Sequence, residues 1–130
     1  ALHLQEGTDV TIFATGHLVW ESLEAAKTLA EAGISAEVIN IHTIKPLDSK
    51  AILSAVSKTK CVVTAEEHML NGGLGDSIAQ LLSRENPTPI EMVGVNDTFG
   101  ESGTPMQLLE KYGLDAKAIV AAAIKAVARK

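Results

Sequence analysis

Cys61-Val-Val-Thr-Ala-Glu-Glu-His-Met-Leu-Asn-Gly-Gly-Leu-Gly75 joins an apolar strand to two carboxylates, a histidine and a set of glycines, and a helical pattern follows at once. In an α/β protein such a strand-to-helix turn is where a ligand or a partner surface gathers. Working outward from it, apolar runs alternate with helical patterns along the chain, the mark of a sheet with helices on its faces. Val10–Ala14 reads as a buried strand. Leu18 to Ala32 repeats apolar residues at helical spacing, and Gly33 stops it in the left-handed conformation. Ile34–Ile41 is a second buried strand. Pro46 keeps Lys45 out of the helical region, and Asp48 caps a helix through about Lys58. Cys61–Ala65 is a third strand, Gly73–Arg84 a helix that Asn86-Pro87 ends, and Ile90–Val95 a further strand.

The two ends of the chain differ from this rhythm. Ala1–Gln5, with Glu6-Gly7-Thr8-Asp9, reads as a short antiparallel edge strand and a hairpin into the first long strand. Asn96 to Gly103 is a polar loop, after which Thr104-Pro-Met-Gln107 forms a capping box for a short helix that Gly113 ends. Asp115 caps the last helix, and Lys125, Arg129 and Lys130 suit its negative end. Four such strands, joined by helices of this length, predict a mainly parallel sheet with right-handed crossovers and Ala1–Gln5 as an antiparallel edge. Residues 1–130 read as one domain.

Composition narrows the function. The 130 residues are 46% hydrophobic with few aromatics, so the core is built from Val, Ile, Leu and Ala. A net charge of -5 without a basic run argues against nucleic acid, whose binding rests on neutralising phosphates. Cys61 stands alone, which excludes an internal disulfide and fits a reduced, cytoplasmic setting. No apolar run nears transmembrane length, so no membrane partner is expected. The chain opens on Ala1 rather than Met, as a fragment or a processed chain does.

Gly72, Gly73 and Gly75 place backbone N–H groups where an anion could sit. The pattern is neither G-x-G-x-x-G nor a nucleoside-triphosphate loop, and close packing of helix on sheet explains the glycines equally well. Glu66, Glu67 and His68 could supply acid–base chemistry or bind a metal. Adjacent residues on a strand point to opposite faces, so the three cannot converge on one atom. His17 and His42 also fall at strand ends and could meet His68 on a shared edge. No nucleophile, base and orienting group can be assembled, so no catalytic residue is assigned, and no second His or Cys at ligand spacing near His68 marks a metal site. Ser102 and Thr104 are explained by capping, and Cys61 by burial as a small apolar residue.

Several segments together resemble a known family. Asp9-Val-Thr-Ile-Phe-Ala-Thr-Gly16 with Glu24-Ala25-Ala26 is similar to the opening of the C-terminal domain of transketolase-family, thiamine-diphosphate-dependent enzymes. Ile44-Lys45-Pro46-Leu47-Asp48, Glu66-Glu67-His68 with Gly72-Gly73-Leu74-Gly75, Asp97-Thr-Phe-Gly-Glu-Ser102 and Lys111-Tyr-Gly-Leu114 extend the likeness in order over essentially the whole chain. The Thr-Phe-Gly-Glu-Ser loop tilts it toward transketolase, including the split form whose small subunit ends in such a domain. Deoxyxylulose-phosphate synthases and the β subunits of 2-oxo-acid dehydrogenases carry the same domain type.

The resemblance implies an α/β three-layer sandwich with a five-stranded, mainly parallel mixed sheet and helices on both faces, and a domain with no cofactor-binding or metal-binding residue of its own, since thiamine diphosphate and Mg belong to upstream domains. It also implies partners: the upstream thiamine-diphosphate-binding domains or subunit, and a second copy in a homodimer. His17, Glu67, His68, Gly72, Gly73 and Ser102 are the partner-facing candidates, all at strand ends or helix starts on one expected rim. Two other readings stay open at this point. One is a free-standing module that binds a phosphate ligand at the glycines; the other is a hydrolase or lyase centred on Glu67 and His68.

Overall fold

The structure is a computed structural model that describes residues 1–42, 47–69, 73–95 and 115–130, with backbone alone for 67–69 and 95. Among the described residues five strands form one sheet: β1 (Leu2–Gln5), β2 (Val10–Ala14), β3 (Ala36–Asn40), β4 (Val62–Met69) and β5 (Ile90–Val95). Four helices accompany them: α1 (Leu18–Glu31), α2 (Ser49–Thr59), α3 (Leu74–Glu85) and α4 (Ala116–Ala128). The strand order is β1-β3-β2-β4-β5, parallel throughout except for β1, which runs antiparallel to β3.

Alternation along the strands divides the apolar side chains between two layers. Val10, Ile12, Ala14, Val38, Val63, Ala65 and Val93 pack with Leu18, Ala25, Ala26 and Leu29 of α1 and Ile119, Ala123 and Ala126 of α4. Phe13, Ile39, Ile41 and Val62 face the other way, onto Ile52, Ala55 and Val56 of α2 and Leu74, Ile78, Leu81 and Leu82 of α3. The expected aliphatic three-layer α/β sandwich is therefore present. Of the aromatics, Phe13 is buried and Trp20 on the first turn of α1 is exposed.

Local chemistry sets the helix ends. At the end of α1, Gly33 takes φ 83°, and the N–H groups of Gly33 and Ile34 donate to Ala30 O (3.0 Å) and Leu29 O (2.8 Å). This is the paired bonding of a Schellman motif. Asp48 accepts from Ala51 N at 3.2 Å and Asp115 from Ala118 N at 3.0 Å, as helix caps. Lys125 and Arg129 do not merely face the end of α4. Both reach Glu91 on β5, and Arg129 Nη1 also donates to Ile90 O at 3.0 Å. The capping box at Thr104–Gln107 and its short helix lie outside the described residues.

One expectation is corrected. Glu6–Asp9 is not the turn of a hairpin, because β1 pairs with β3, which lies between β1 and β2. The link crosses the start of β3 instead. Asp9 Oδ2 accepts from Ser35 N at 2.7 Å, and Asp9 N donates to Ser35 O at 2.8 Å. A Cβ on Gly7 would stand 2.2 Å from Ala36 C and 2.3 Å from Glu37 N, so only glycine allows that crossing.

Candidate functional site

The C-terminal ends of the parallel strands form one rim. β2 and β4 are neighbours there, with Ala14 opposite Ala65 and Thr15 N donating to Ala65 O at 3.1 Å. His17 follows β2 as the exposed residue that precedes α1. Glu67 and His68 lie near the end of β4, where its register with β5 shifts between Ala65 and Met69. Gly73 precedes α3 and is buried. The topology thus brings His17, Glu67, His68 and Gly73 to the same end of the sheet, while Gly72 and Ser102 lie outside the described residues.

The middle of this rim is occupied by Glu66, one of the three residues considered for acid–base or metal chemistry. Glu66 is 0% exposed, and its carboxylate accepts from Leu74 N (Oε1, 2.8 Å) and Gly75 N (Oε2, 2.7 Å). Gly73 has no side chain with which to cap α3, so the preceding strand supplies the cap. A carboxylate there meets both the unsatisfied N–H groups and the positive end of the helix dipole. Glu66 is therefore turned inward, and its carboxylate holds the start of α3.

The start of α3 also packs tightly on the sheet. A Cβ on Gly75 would come within 2.8 Å of Thr64 Oγ1 and 3.0 Å of Met92 Sδ. Close approach of helix to sheet, rather than an open anion cradle, accounts for this glycine. Leu74 and Gly75 have no N–H left to offer an external phosphate.

A second constellation lies on the α2 face, at the β1 edge, and sequence reading missed it. Glu37 on β3 is 2% exposed. Its Oε1 accepts from Thr11 Oγ1 at 3.1 Å, and its Oε2 meets His3 Nε2 at 2.6 Å and Lys58 Nζ at 2.7 Å. Glu6 meets His3 Nδ1 at 3.1 Å and Lys58 Nζ at 3.2 Å. The bond to Glu37 holds Lys58 above its ordinary pKa against the opposing effect of desolvation, and Glu6 adds to the rise. His3, Glu6, Glu37 and Lys58 line a cleft of about 430 Å³. Only His3 and Glu6 are near in sequence, and the antiparallel register of His3 opposite Ile39 is what carries them to Glu37.

Cys61 is buried as expected, and burial pushes its thiol pKa up from 9.0. Its Sγ contacts Asp9 O at 3.2 Å. No helix among the described residues is long and apolar enough to cross a membrane.

The family described as "Transketolase, C-terminal domain" matches residues 1–119. The 6-deoxy-6-sulfo-D-fructose transketolase subunit SqwH of Clostridium sp. (strain MSTE9) is 52% identical over 127 residues, covering 98% of this chain and 39% of that protein. The 1-deoxy-D-xylulose-5-phosphate synthase 1 of Geobacter sulfurreducens is 47% identical over 121 residues, 92% of this chain and 19% of that protein. A solved structure described as a split gene transketolase, inactive beta4 tetramer, superposes with a TM-score of 0.92 at 51% identity. The match covers 97% of this chain and 41% of that one. The chain thus spans 39% or less of the length of these two curated relatives.

Proposed function

The chain belongs to the transketolase C-terminal domain family, and from that premise we propose that residues 1–130 form one non-catalytic assembly domain of a transketolase-like enzyme. The complete enzyme transfers two-carbon ketol units between sugar phosphates with thiamine diphosphate and Mg, both held by upstream domains or a separate subunit. The domain works in the cytoplasm, buttresses those upstream parts and extends a homodimer interface. His17, Glu67, His68, Gly72, Gly73 and Ser102 belong to the partner-facing rim.

One observation carries this reading: the Glu66 carboxylate closes the start of α3. A diphosphate needs open backbone donors or a cation at such a place. Here the donors of Leu74 and Gly75 are already engaged, and an approaching phosphate would also meet a buried negative charge. With the donors of Leu74 and Gly75 taken, this helix start favours an assembly role over a phosphate-binding module.

The relative from Geobacter supports a second reading, in which the complete enzyme is a deoxyxylulose-phosphate synthase. Mixing the purified chain with the upstream subunit of a split transketolase separates the two. Ketol transfer that needs both components supports the first reading, and deoxyxylulose-phosphate formation supports the second. The rim is tested at its exposed member by His17→Trp, which should weaken association more than folding. Normal association by a folded His17→Trp protein would remove that residue from the interface.

A further inference from the structure

Both ring nitrogens of His3 face carboxylate oxygens, Nε2 at 2.6 Å from Glu37 Oε2 and Nδ1 at 3.1 Å from Glu6 Oε1. A neutral imidazole has one N–H and one lone pair, and a carboxylate only accepts. One of the two contacts therefore sets lone pair against lone pair unless a positive charge lies between them. A second ring proton can supply that charge, and so can a metal ion once the contact opens to about 3.3 Å. The same two carboxylates already converge on a cation, since Lys58 Nζ lies 2.7 Å from Glu37 Oε2 and 3.2 Å from Glu6 Oε2. The ammonium group thus bridges the two carboxylates.

We propose that His3, Glu6 and Glu37 form a binding site for a divalent cation of the zinc class, which Lys58 vacates when the ion enters. One donor atom from each of the three lies within 4.8 Å of the others. Tetrahedral zinc holds neighbouring ligand atoms about 3.3 Å apart, so the donors need to close by about 1.5 Å at most. Glu6 can make that movement, because its side chain is 78% exposed. Glu37 Oε2 stands 2.6 Å from His3 Nε2, so that pair must open by about 0.7 Å. Thr11 holds Glu37 Oε1, leaving Oε2 aimed into the cleft, as an outer hydrogen bond orients a metal-binding carboxylate.

The cleft of about 430 Å³ provides the path in and room for a water as fourth ligand. Lys58 has a partly exposed side chain at its lip and can turn outward. One imidazole with two carboxylates suits zinc better than magnesium or calcium, which take oxygen ligands. The site lies on the β1 edge, apart from the rim, and does not depend on the assembly reading.

Calorimetric titration of the protein with ZnCl2 at fixed pH tests the proposal. The expected result is saturable binding of one ion, lost in both His3→Gln and Glu6→Gln, whose partly exposed side chains can change without unfolding the chain. Lys58→Met removes the like charge and should tighten binding about tenfold or more. Circular dichroism confirms that each variant is folded. No saturable heat in the unaltered protein overturns the proposal, as does binding seen only in Lys58→Met. So does binding that survives either His3→Gln or Glu6→Gln, or an affinity unchanged in Lys58→Met.

Discussion

Glu66→Gln isolates the contact that closes the start of α3. The substitution preserves volume and keeps one carbonyl oxygen, but turns the other acceptor into an NH2 donor. One of the two N–H groups, Leu74 at 2.8 Å or Gly75 at 2.7 Å, then faces a donor in a fully buried place. A hydrogen bond to a charged group contributes about 1.5–3 kcal/mol, and a buried group left unsatisfied costs a similar amount. Loss of favourable charge at the helix dipole adds about 0.3–1 kcal/mol. The expected destabilisation is about 2–3 kcal/mol, a substantial part of the roughly 5–15 kcal/mol that holds a domain together.

Urea unfolding monitored by circular dichroism measures that loss directly. The midpoint should fall while the slope with denaturant stays the same, since the surface exposed on unfolding is unchanged. In a thermal scan the same loss appears as a fall of about 7–11 °C. Hydrogen exchange adds a local readout, because the amides of Leu74 and Gly75 should lose protection before those of the α3 interior. A destabilisation under about 0.5 kcal/mol, the range of an ordinary surface change, would refute the capping argument.

Three other outcomes follow from the packing and burial. Gly75→Ala should destabilise by about 1–3 kcal/mol through its contact with Thr64 Oγ1. Thr64→Ala in the same chain should recover part of this in a double-mutant cycle, and strict additivity would contradict the contact. Gly7→Ala puts a Cβ against the β3 backbone and should cost more than about 3 kcal/mol or prevent folding; a normal melting curve would disprove the crossing. Cys61, with its pKa raised by burial, contributes full stability below its ordinary 9.0, and that contribution fades as pH rises through the higher folded value. Iodoacetamide at pH 8 should therefore label Cys61 slowly until urea unfolds the chain, and rapid labelling of the folded protein would contradict its burial.

Local chemistry was legible in the sequence and distant pairing was not. Gly33, Asp48 and Asp115 end or begin helices through bonds to residues within a few positions, so residue type and spacing suffice to find them. The alternation of apolar strands with amphipathic helices likewise led to the parallel sheet and its two covered faces. The hairpin reading of Glu6–Asp9 failed because the partner of β1 is chosen by a strand more than thirty residues away. Glu66 looked like one of three similar polar residues. Strand alternation said that neighbours diverge, but not that this one turns inward to a helix that starts eight positions later. The cluster of His3, Glu6, Glu37 and Lys58 has no sequence signature, because it exists only once β1 is laid beside β3 and α2 packs over both.

The claim that this chain assembles an enzyme without holding its cofactor is tested most directly by titrating it with thiamine diphosphate and MgCl2 in a calorimeter. The account predicts no saturable heat from the chain alone, with binding and ketol transfer arising only after the upstream subunit is added. Saturable micromolar binding by the chain alone would contradict it, and would mean that Glu66 yields the start of α3 to the diphosphate.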